Sequence, residues 1–163
     1  MTVRIDTFRP EYALPFAELN REWLVRYNLL ESSDQSQLDD PESYFLQGGG
    51  QIFVALLEDK VVGTCAISPC DGALEIAKLA VAPEFRGQGL ARRLVERCLA
   101  HAREQGARRI TLLSNSQLQA ALRLYESVGF RYHPLPEVTG YHTADVFMVL
   151  ELDAPQGSIT EAG

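Results

Sequence analysis

The feature of this sequence that most constrains its fold is a helix that starts without a cap. Residues 78–93 read as a buried strand, a short turn and the start of a helix, in which Leu90, Leu94 and Cys98 repeat on one apolar stripe. Gly106 marks the end of that helix. No Ser, Thr, Asp or Asn stands at its entry to accept hydrogen bonds from the first backbone amides. Those amides therefore need another partner.

The residues around this helix start favour a bound anion. Gly87 and Gly89 carry no Cβ, so a ligand can approach the backbone closely. Arg86, Arg92 and Arg93 crowd the positive end of the helix dipole, where cations are unfavourable. We therefore predict a phosphate site, and the alternative is an ordinary tight turn hydrated by water. The Rossmann fingerprint fails at Arg92, and the sequence has no Walker Gly-Lys-Ser/Thr.

The remaining pattern predicts an α+β fold with one mixed sheet, in the order β-α-α-β-β-β-α-β-α-β-β. We expect a loop over the polar, acidic residues 29–40 and a capping box in which Ser116 caps a helix and Gln119 reaches back. In the central strand, residues 73–81, simple alternation places four residues on one face: Glu75, Ala77, Leu79 and Val81.

Composition limits the class of protein. Residues 1–152 are expected to form a single domain, and the small, polar residues 153–163 a disordered tail. The net charge of −7 argues against nucleic acid as the main partner. No apolar run approaches the ~20 residues of a membrane span, and no leader opens the chain. Cys65, Cys70 and Cys98 have no metal-ligand spacing, so we expect reduced cysteines, no metal site and a cytoplasmic protein.

Three segments carry a resemblance to a known family. Arg86–Ala91 matches the signature Arg/Gln-x-x-Gly-x-Gly/Ala, with Leu79–Val81 before it and Leu124–Phe130 after it. In this order and spacing they resemble the GNAT superfamily of acetyl-CoA-dependent N-acetyltransferases, over about residues 3–152. The resemblance implies a three-layer fold, in which helices flank a single mixed, mostly antiparallel sheet. It also implies that the central strand and the next one splay apart to admit the pantetheine arm.

Acetyl-CoA is the cosubstrate that the resemblance implies. The amides of residues 86–91 would bind its pyrophosphate, and the backbone at Leu79 and Val81 would pair with the pantetheine arm. An amide near Val81 would also polarise the thioester carbonyl. Many family members have an asparagine that contacts the CoA arm at the position where this chain has Leu118. Asn115 either replaces that contact or only helps to start the helix. The implied cofactor-binding residues are Leu79, Ala80, Val81, Arg86, Gly87, Gln88, Gly89, Leu90, Ala91, Asn115 and Tyr125.

Tyr125 and Glu75 are the candidate catalytic residues. Similar enzymes carry a tyrosine at the position of Tyr125, with its hydroxyl near the CoA sulfur as a general acid; the alternative is a tyrosine of the core. Glu75 lies on an otherwise apolar strand face, where burial would raise its pKa toward that of a general base. Some GNAT enzymes have a catalytic glutamate at the matching position. The alternatives for Glu75 are that it is exposed or that it pairs with Lys78 or an arginine. The amine could then be deprotonated through water, and Glu22 and Glu31 are weaker base candidates.

The acceptor side is the least specific part of the resemblance. In the family, the first helices and the connection between the last two strands enclose the acceptor pocket. Between Arg26 and Lys60 every charged residue is acidic, and with aromatic walls this suits a small cationic amine; the alternative is a simply solvated loop. The candidate acceptor-binding residues are Trp23, Tyr27, Glu31 and Tyr141.

The sequence thus predicts an N-acetyltransferase that transfers the acetyl group of acetyl-CoA directly to a primary amine of a small molecule or a peptide. A non-catalytic acetyl-CoA-binding sensor or interaction module is the alternative. A nucleotide-binding domain is disfavoured by Arg92 and by the missing P-loop lysine. The resemblance allows a homodimer, which no residue of the sequence demonstrates.

Overall fold

The protein is described by a computed structural model over residues 2–152, and the expected tail at 153–163 lies outside those residues. None of the helices described is long and apolar enough to cross a membrane. Single 3-10 turns at Pro10–Tyr12 and Pro83–Phe85 precede two of them. The elements are β1 (Val3–Thr7), α1 (Ala13–Arg26), α2 (Ser32–Asp39), α3 (Pro41–Phe45), β2 (Gln51–Leu57), β3 (Lys60–Cys70), β4 (Ala73–Val81), α4 (Leu90–Glu104), β5 (Arg109–Ser114), α5 (Gln119–Val128), β6 (Arg131–His133) and β7 (Val146–Glu151).

The strands form one sheet in the order β1-β2-β3-β4-β5-β7-β6. The β4–β5 pair is parallel and the other neighbouring pairs are antiparallel. Each face of the sheet carries its own buried apolar cluster, one with α4 and α5 and the other with α1, α2 and α3. The predicted three-layer arrangement with a mixed, mostly antiparallel sheet is therefore confirmed, and the predicted element order lacks only α2.

The two parallel strands pair over a short distance and then separate. Residues 74–76 of β4 pair with residues 110–112 of β5, and no pair joins the strands beyond Ile76 within the described residues. The rest of β5 stays paired with β7, where Leu113 lies opposite Phe147. Residues 77–81 of β4 consequently leave their β5-facing side open, as the resemblance implies.

A β-bulge in β4 overturns the predicted alternation of that strand. Lys78 and Leu79 together lie opposite the single residue Cys65, and Lys78 has a φ of +57°, in the left-handed region. The extra residue reverses the faces beyond it. Leu79 and Val81 pack against the α4–α5 cluster, whereas Ala77 packs on the opposite face, so the prediction that these residues share one face was wrong.

The predicted loop at residues 29–40 was also wrong, because most of it is helix α2. Glu31 and Asp34 form a reciprocal capping box, each side chain accepting a hydrogen bond from the other residue's backbone N–H. Leu38 is buried against α1 and α3. This helix was not predicted because its sequence is acidic and has no amphipathic stripe. Its cap and its tertiary contacts stabilise it instead.

The capping box predicted at Ser116 does not form. The Ser116 hydroxyl donates to Asp145 Oδ2 at 2.8 Å, and α5 begins only at Gln119 with no side-chain cap. The Gln119 side-chain amide does reach back, but to the Ser116 backbone carbonyl. The prediction that Ser116 caps α5 was therefore wrong, because its actual partner, Asp145, is 29 residues away in the sequence.

Candidate active site

A cleft of about 580 Å³ opens where β4 and β5 separate. Its walls are the second half of α1, the exposed edge of β4, the turn before α4, the end of β5 and the first part of α5. The connection between β6 and β7 closes one end through Tyr141 and Thr143. The divergence of two strands thus places most of the predicted site residues around one space.

The turn before α4 presents a row of backbone amides to this cleft. Gly87 and Gly89 have φ values of +77° and +80°, and a Cβ added at either would meet no atom within 4 Å. The first intrahelical bond runs from the Arg93 N–H to the Gly89 carbonyl, at 3.1 Å. None of the N–H groups of residues 87–92 donates to an acceptor in the described part of the chain. A row of free donors at a helix start, with open space before it, fits a phosphate group.

The three arginines of this turn are held by the protein itself. Arg86 donates to the Val81 carbonyl at 3.1 Å and to Glu22 at 3.3 Å, while Arg92 donates to Ser127 and Arg93 to the Val3 carbonyl. Arg86 and Arg92 line the cleft. Their side chains are therefore fixed beside the free amides, where their charges add to the positive potential of the helix start.

Most predicted cofactor residues line the cleft: Leu79, Ala80, Val81, Arg86, Gly87, Gly89, Leu90, Ala91, Asn115 and Tyr125. Gln88 is not among the lining residues. The Asn115 side chain donates to the Thr143 carbonyl at 2.7 Å and accepts from the Gln117 N–H at 2.9 Å. It therefore joins the end of β5 to the connection between β6 and β7, in addition to facing the cleft.

Tyr125 lies on α5 at the floor of the cleft, 6% exposed, with its ring edge-to-face against Phe130 at 5.7 Å between centroids. Burial raises its pKa, and negative charge on the nearby Cys65 and Cys98 sulfurs acts in the same direction. No acceptor for its hydroxyl is found among residues 2–152. The phenol therefore keeps its proton at neutral pH and has it available for a group in the cleft.

Glu75 lies on β4 and lines the same cleft. Burial raises the pKa of its carboxyl group, the charge of Lys78 opposes this effect, and the charge of Asp71 adds to it. A carboxyl group with a raised pKa can accept a proton at neutral pH more readily than an exposed glutamate. The predicted direction of the Glu75 pKa thus agrees with its environment in the structure, whereas its catalytic role stays a prediction.

A buried ion pair beside Glu75 was not predicted from the sequence. The Lys78 ammonium lies 2.6 Å from Asp34 Oδ1, and the two side chains are only 5% and 3% exposed. The Lys78 carbonyl accepts from the Thr64 hydroxyl at 2.9 Å, which fixes the bulge. A lysine between the buried residues Ile76 and Ala80 indicates a buried charge that needs a partner. The sequence pattern does not show that this partner lies on α2.

The predicted acceptor residues divide into two groups. Trp23, Tyr27 and Tyr141 line the cleft. Glu31 does not: its carboxylate accepts from the backbone N–H groups of His142 and Thr143, at 2.8 and 2.9 Å, and from the Thr143 hydroxyl. Partial burial alone would raise the Glu31 pKa, but these hydrogen bonds outweigh burial and lower it. Glu31 is thus a clamp between α2 and the β6–β7 connection.

Comparison with known proteins identifies the family. The model of the acetyltransferase (GNAT) family matches residues 16–130, which include the cleft turn and Tyr125. The chain belongs to the acetyltransferase (GNAT) family. Its fold is that of other GNAT proteins: an acetyltransferase of the family from Staphylococcus aureus superposes with a TM-score of 0.84 at 20% identity, over 93% of this chain and all of that one. The yncA protein of Salmonella typhimurium, with its cofactor acetyl-CoA, superposes with a TM-score of 0.75 at 22% identity, over 95% and 96% of the two chains.

Curated relatives of this GNAT chain include proteins named as N-acetyltransferases. Human N-acetyltransferase 8B is 35% identical over 134 residues, covering 74% of this chain and 58% of that protein. The uncharacterized N-acetyltransferase YjgM of Escherichia coli is 33% identical over 120 residues, covering 71% and 72%. N-acetylaspartate synthetase of Xenopus tropicalis is 34% identical over 108 residues, covering 64% and 40%. The chain therefore spans between about a third and three quarters of the length of the curated relatives that it matches.

Proposed function

We propose that this GNAT protein transfers the acetyl group of acetyl-CoA directly to a primary amine of a small molecule or a peptide. The observation that carries the proposal is the row of N–H groups at residues 87–92, which have no partner within the described residues and open onto the cleft beside Tyr125. The acetyl-CoA complex of a protein with the same fold supports this choice of cosubstrate. The name of the Xenopus relative, N-acetylaspartate synthetase, supports a small-molecule acceptor.

Each cleft residue has a separate task in this proposal. The amides at 87–92 hold the diphosphate, and a backbone amide near Val81 donates to the acetyl carbonyl oxygen. Acetyl-CoA supplies an acetyl group activated as a thioester. Glu75 takes one proton from the acceptor ammonium, which makes the nitrogen nucleophilic. Tyr125 gives its proton to the departing thiolate and regains one from the acetylated nitrogen, so that an amide, a thiol and one proton are formed.

Several sequence predictions are part of the proposal. We propose a single domain over residues 1–152 and a cytoplasmic protein, with no nucleic-acid partner and no resident metal. No group of three or more potential metal ligands occurs within residues 2–152. A homodimer remains compatible with the resemblance.

A CoA-release assay over a panel of amines tests the proposal. We expect acetyl-CoA-dependent release of CoA with at least one acceptor, and we expect Tyr125→Phe to lower kcat by about 10²–10⁴-fold while acetyl-CoA still binds. Thermal stabilisation by acetyl-CoA without turnover on any amine would instead favour the non-catalytic sensor. Absence of any stabilisation by acetyl-CoA would refute both functions.

A further inference from the structure

The acidic run between Arg26 and Lys60 does not face the cleft, with one exception. Asp39 pairs with Arg21 at 3.9 Å, Asp40 caps α3, and Glu31 clamps the β6–β7 connection. The exception, Asp34, is neutralised by Lys78. Within the described lining of the cleft, the run therefore supplies no free negative charge for a cationic acceptor. The charge of the acceptor must be judged from the other groups that line the cleft.

Basic groups outnumber acidic groups among the described residues that line the cleft. Four basic side chains, Arg26, Lys78, Arg86 and Arg92, stand against the carboxylates of Asp34 and Glu75. Three of the four basic groups donate hydrogen bonds to the protein: Lys78 to Asp34, Arg86 to Val81 and Glu22, and Arg92 to Ser127. Arg26 is the remaining one.

The Arg26 guanidinium has no hydrogen-bond acceptor in the part of the chain that the structure describes. Its nearest charge is Glu22, with Nε 3.5 Å from Oε2 in a pair whose side chains are 44% and 42% exposed. Glu22 is shared, because its other oxygen accepts from Arg86 at 3.3 Å. One carboxylate thus faces two guanidinium groups, and one positive charge is left over at this wall of the cleft.

Arg26 is also held in a defined position. Its guanidinium carbon lies 5.0 Å from the centroid of the Tyr27 ring, in a cation–π arrangement. A planar guanidinium with free N–H groups matches a carboxylate in two-pronged geometry. The opposite charge, Glu75, lines the same cleft and suits an ammonium group. The wall of the cleft formed by α1 therefore suits an anion, and its β4 wall suits a cation.

We propose that the acceptor carries a carboxylate as well as its amine, as an amino acid does, and that Arg26 binds this carboxylate. The inference rests on the proposed transferase function and assigns a substrate class to the same cleft. Arg26 is a specificity-determining residue in this proposal: it selects acceptors by their carboxylate, while Glu75 and Tyr125 move the protons.

The test compares three forms of each acceptor: an amino acid, its carboxamide and the amine left after decarboxylation. We expect the amino acid to be used best, and Arg26→Gln to raise its KM by about 10- to 100-fold, the effect of losing a charged two-pronged contact. The variant should act on the decarboxylated amine as the wild type does, because that amine has no group for Arg26 to bind. Arg21→Gln is the matched control, because Arg21 is on the same helix, is similarly exposed and does not line the cleft.

Two further measurements separate this inference from the proposed function. The affinity for acetyl-CoA should be unchanged in Arg26→Gln; if acetyl-CoA binds more weakly and KM for the amino acid does not change, Arg26 binds a phosphate and the inference is wrong. Equal use of the carboxamide or the decarboxylated amine also overturns it, while the transferase stands. If no acceptor is acetylated, the thermal unfolding of the CoA-loaded protein is measured with each acceptor form. Stabilisation that requires the carboxylate and is lost in Arg26→Gln supports the carboxylate site without the transfer reaction. Absence of such stabilisation refutes both the carboxylate site and the transferase.

Discussion

Replacing Lys78 with methionine should destabilise the protein far more than removing any exposed ion pair. At 2.6 Å the Lys78–Asp34 attraction is about 6 kcal/mol for an effective dielectric constant of 20, and burial of both groups offsets much of it. Methionine removes the attraction but leaves the Asp34 carboxylate buried, and among residues 2–152 its one remaining hydrogen-bond donor is the Glu31 N–H at 3.0 Å. We expect a loss of about 3–5 kcal/mol in the free energy of unfolding.

Urea unfolding followed by circular dichroism measures this loss. The double variant Lys78→Met/Asp34→Asn should recover most of it, because asparagine carries no charge and can still accept from the Glu31 N–H. Arg21→Met is the matched control: the Arg21–Asp39 pair is 3.9 Å long and 41% and 76% exposed, so its loss should cost less than about 1 kcal/mol. If Lys78→Met costs no more than Arg21→Met, the ion pair does not fasten α2 to β4 and this reasoning is wrong.

Three other substitutions, one of them a control, address Glu75 and the cofactor turn. Glu75→Gln should raise the unfolding midpoint at pH 7 and leave it unchanged at pH 4. Because the pKa of Glu75 is raised in the folded protein, its contribution to stability is fully present below its ordinary pKa of 4.5 and is lost as the pH rises through the folded pKa. An unchanged midpoint at pH 7 would contradict the burial of this carboxyl group. Gly87→Ala and Gly106→Ala, at φ +77° and +75° with open space around both, should each cost about 1–2 kcal/mol of stability. Calorimetric titration should show weaker acetyl-CoA binding only for Gly87→Ala, and equal weakening in both would refute a role for the turn.

The parts of the fold that were predictable from sequence depend on local signals. Pro83 stops β4, glycines stand at both ends of α4, and the Glu58–Asp59 turn joins β2 to β3. Each signal acts within a few residues of the structure that it determines. The single mixed, mostly antiparallel sheet was available through the family resemblance, which rests on three short segments.

The errors come from contacts between residues that are distant in the sequence. Lys78 and Asp34, 44 residues apart, link the bulge of β4 to a helix that composition assigns to a loop. Asp145 takes the hydroxyl of Ser116 from the predicted cap. Glu31 likewise binds the β6–β7 connection instead of lining the cleft. Polar side chains have several possible partners, and only the folded chain decides among them.

The central claim is that the backbone amides of residues 87–92 bind the diphosphate of acetyl-CoA. Titration of 15N-labelled protein with acetyl-CoA, followed by amide chemical shifts, tests it most directly. The claim predicts that these amide signals move and saturate together, while those of Gly72 and Gly106, away from the cleft at similar φ values, stay in place. If the signals of residues 87–92 remain unchanged at saturating acetyl-CoA, the claim is contradicted.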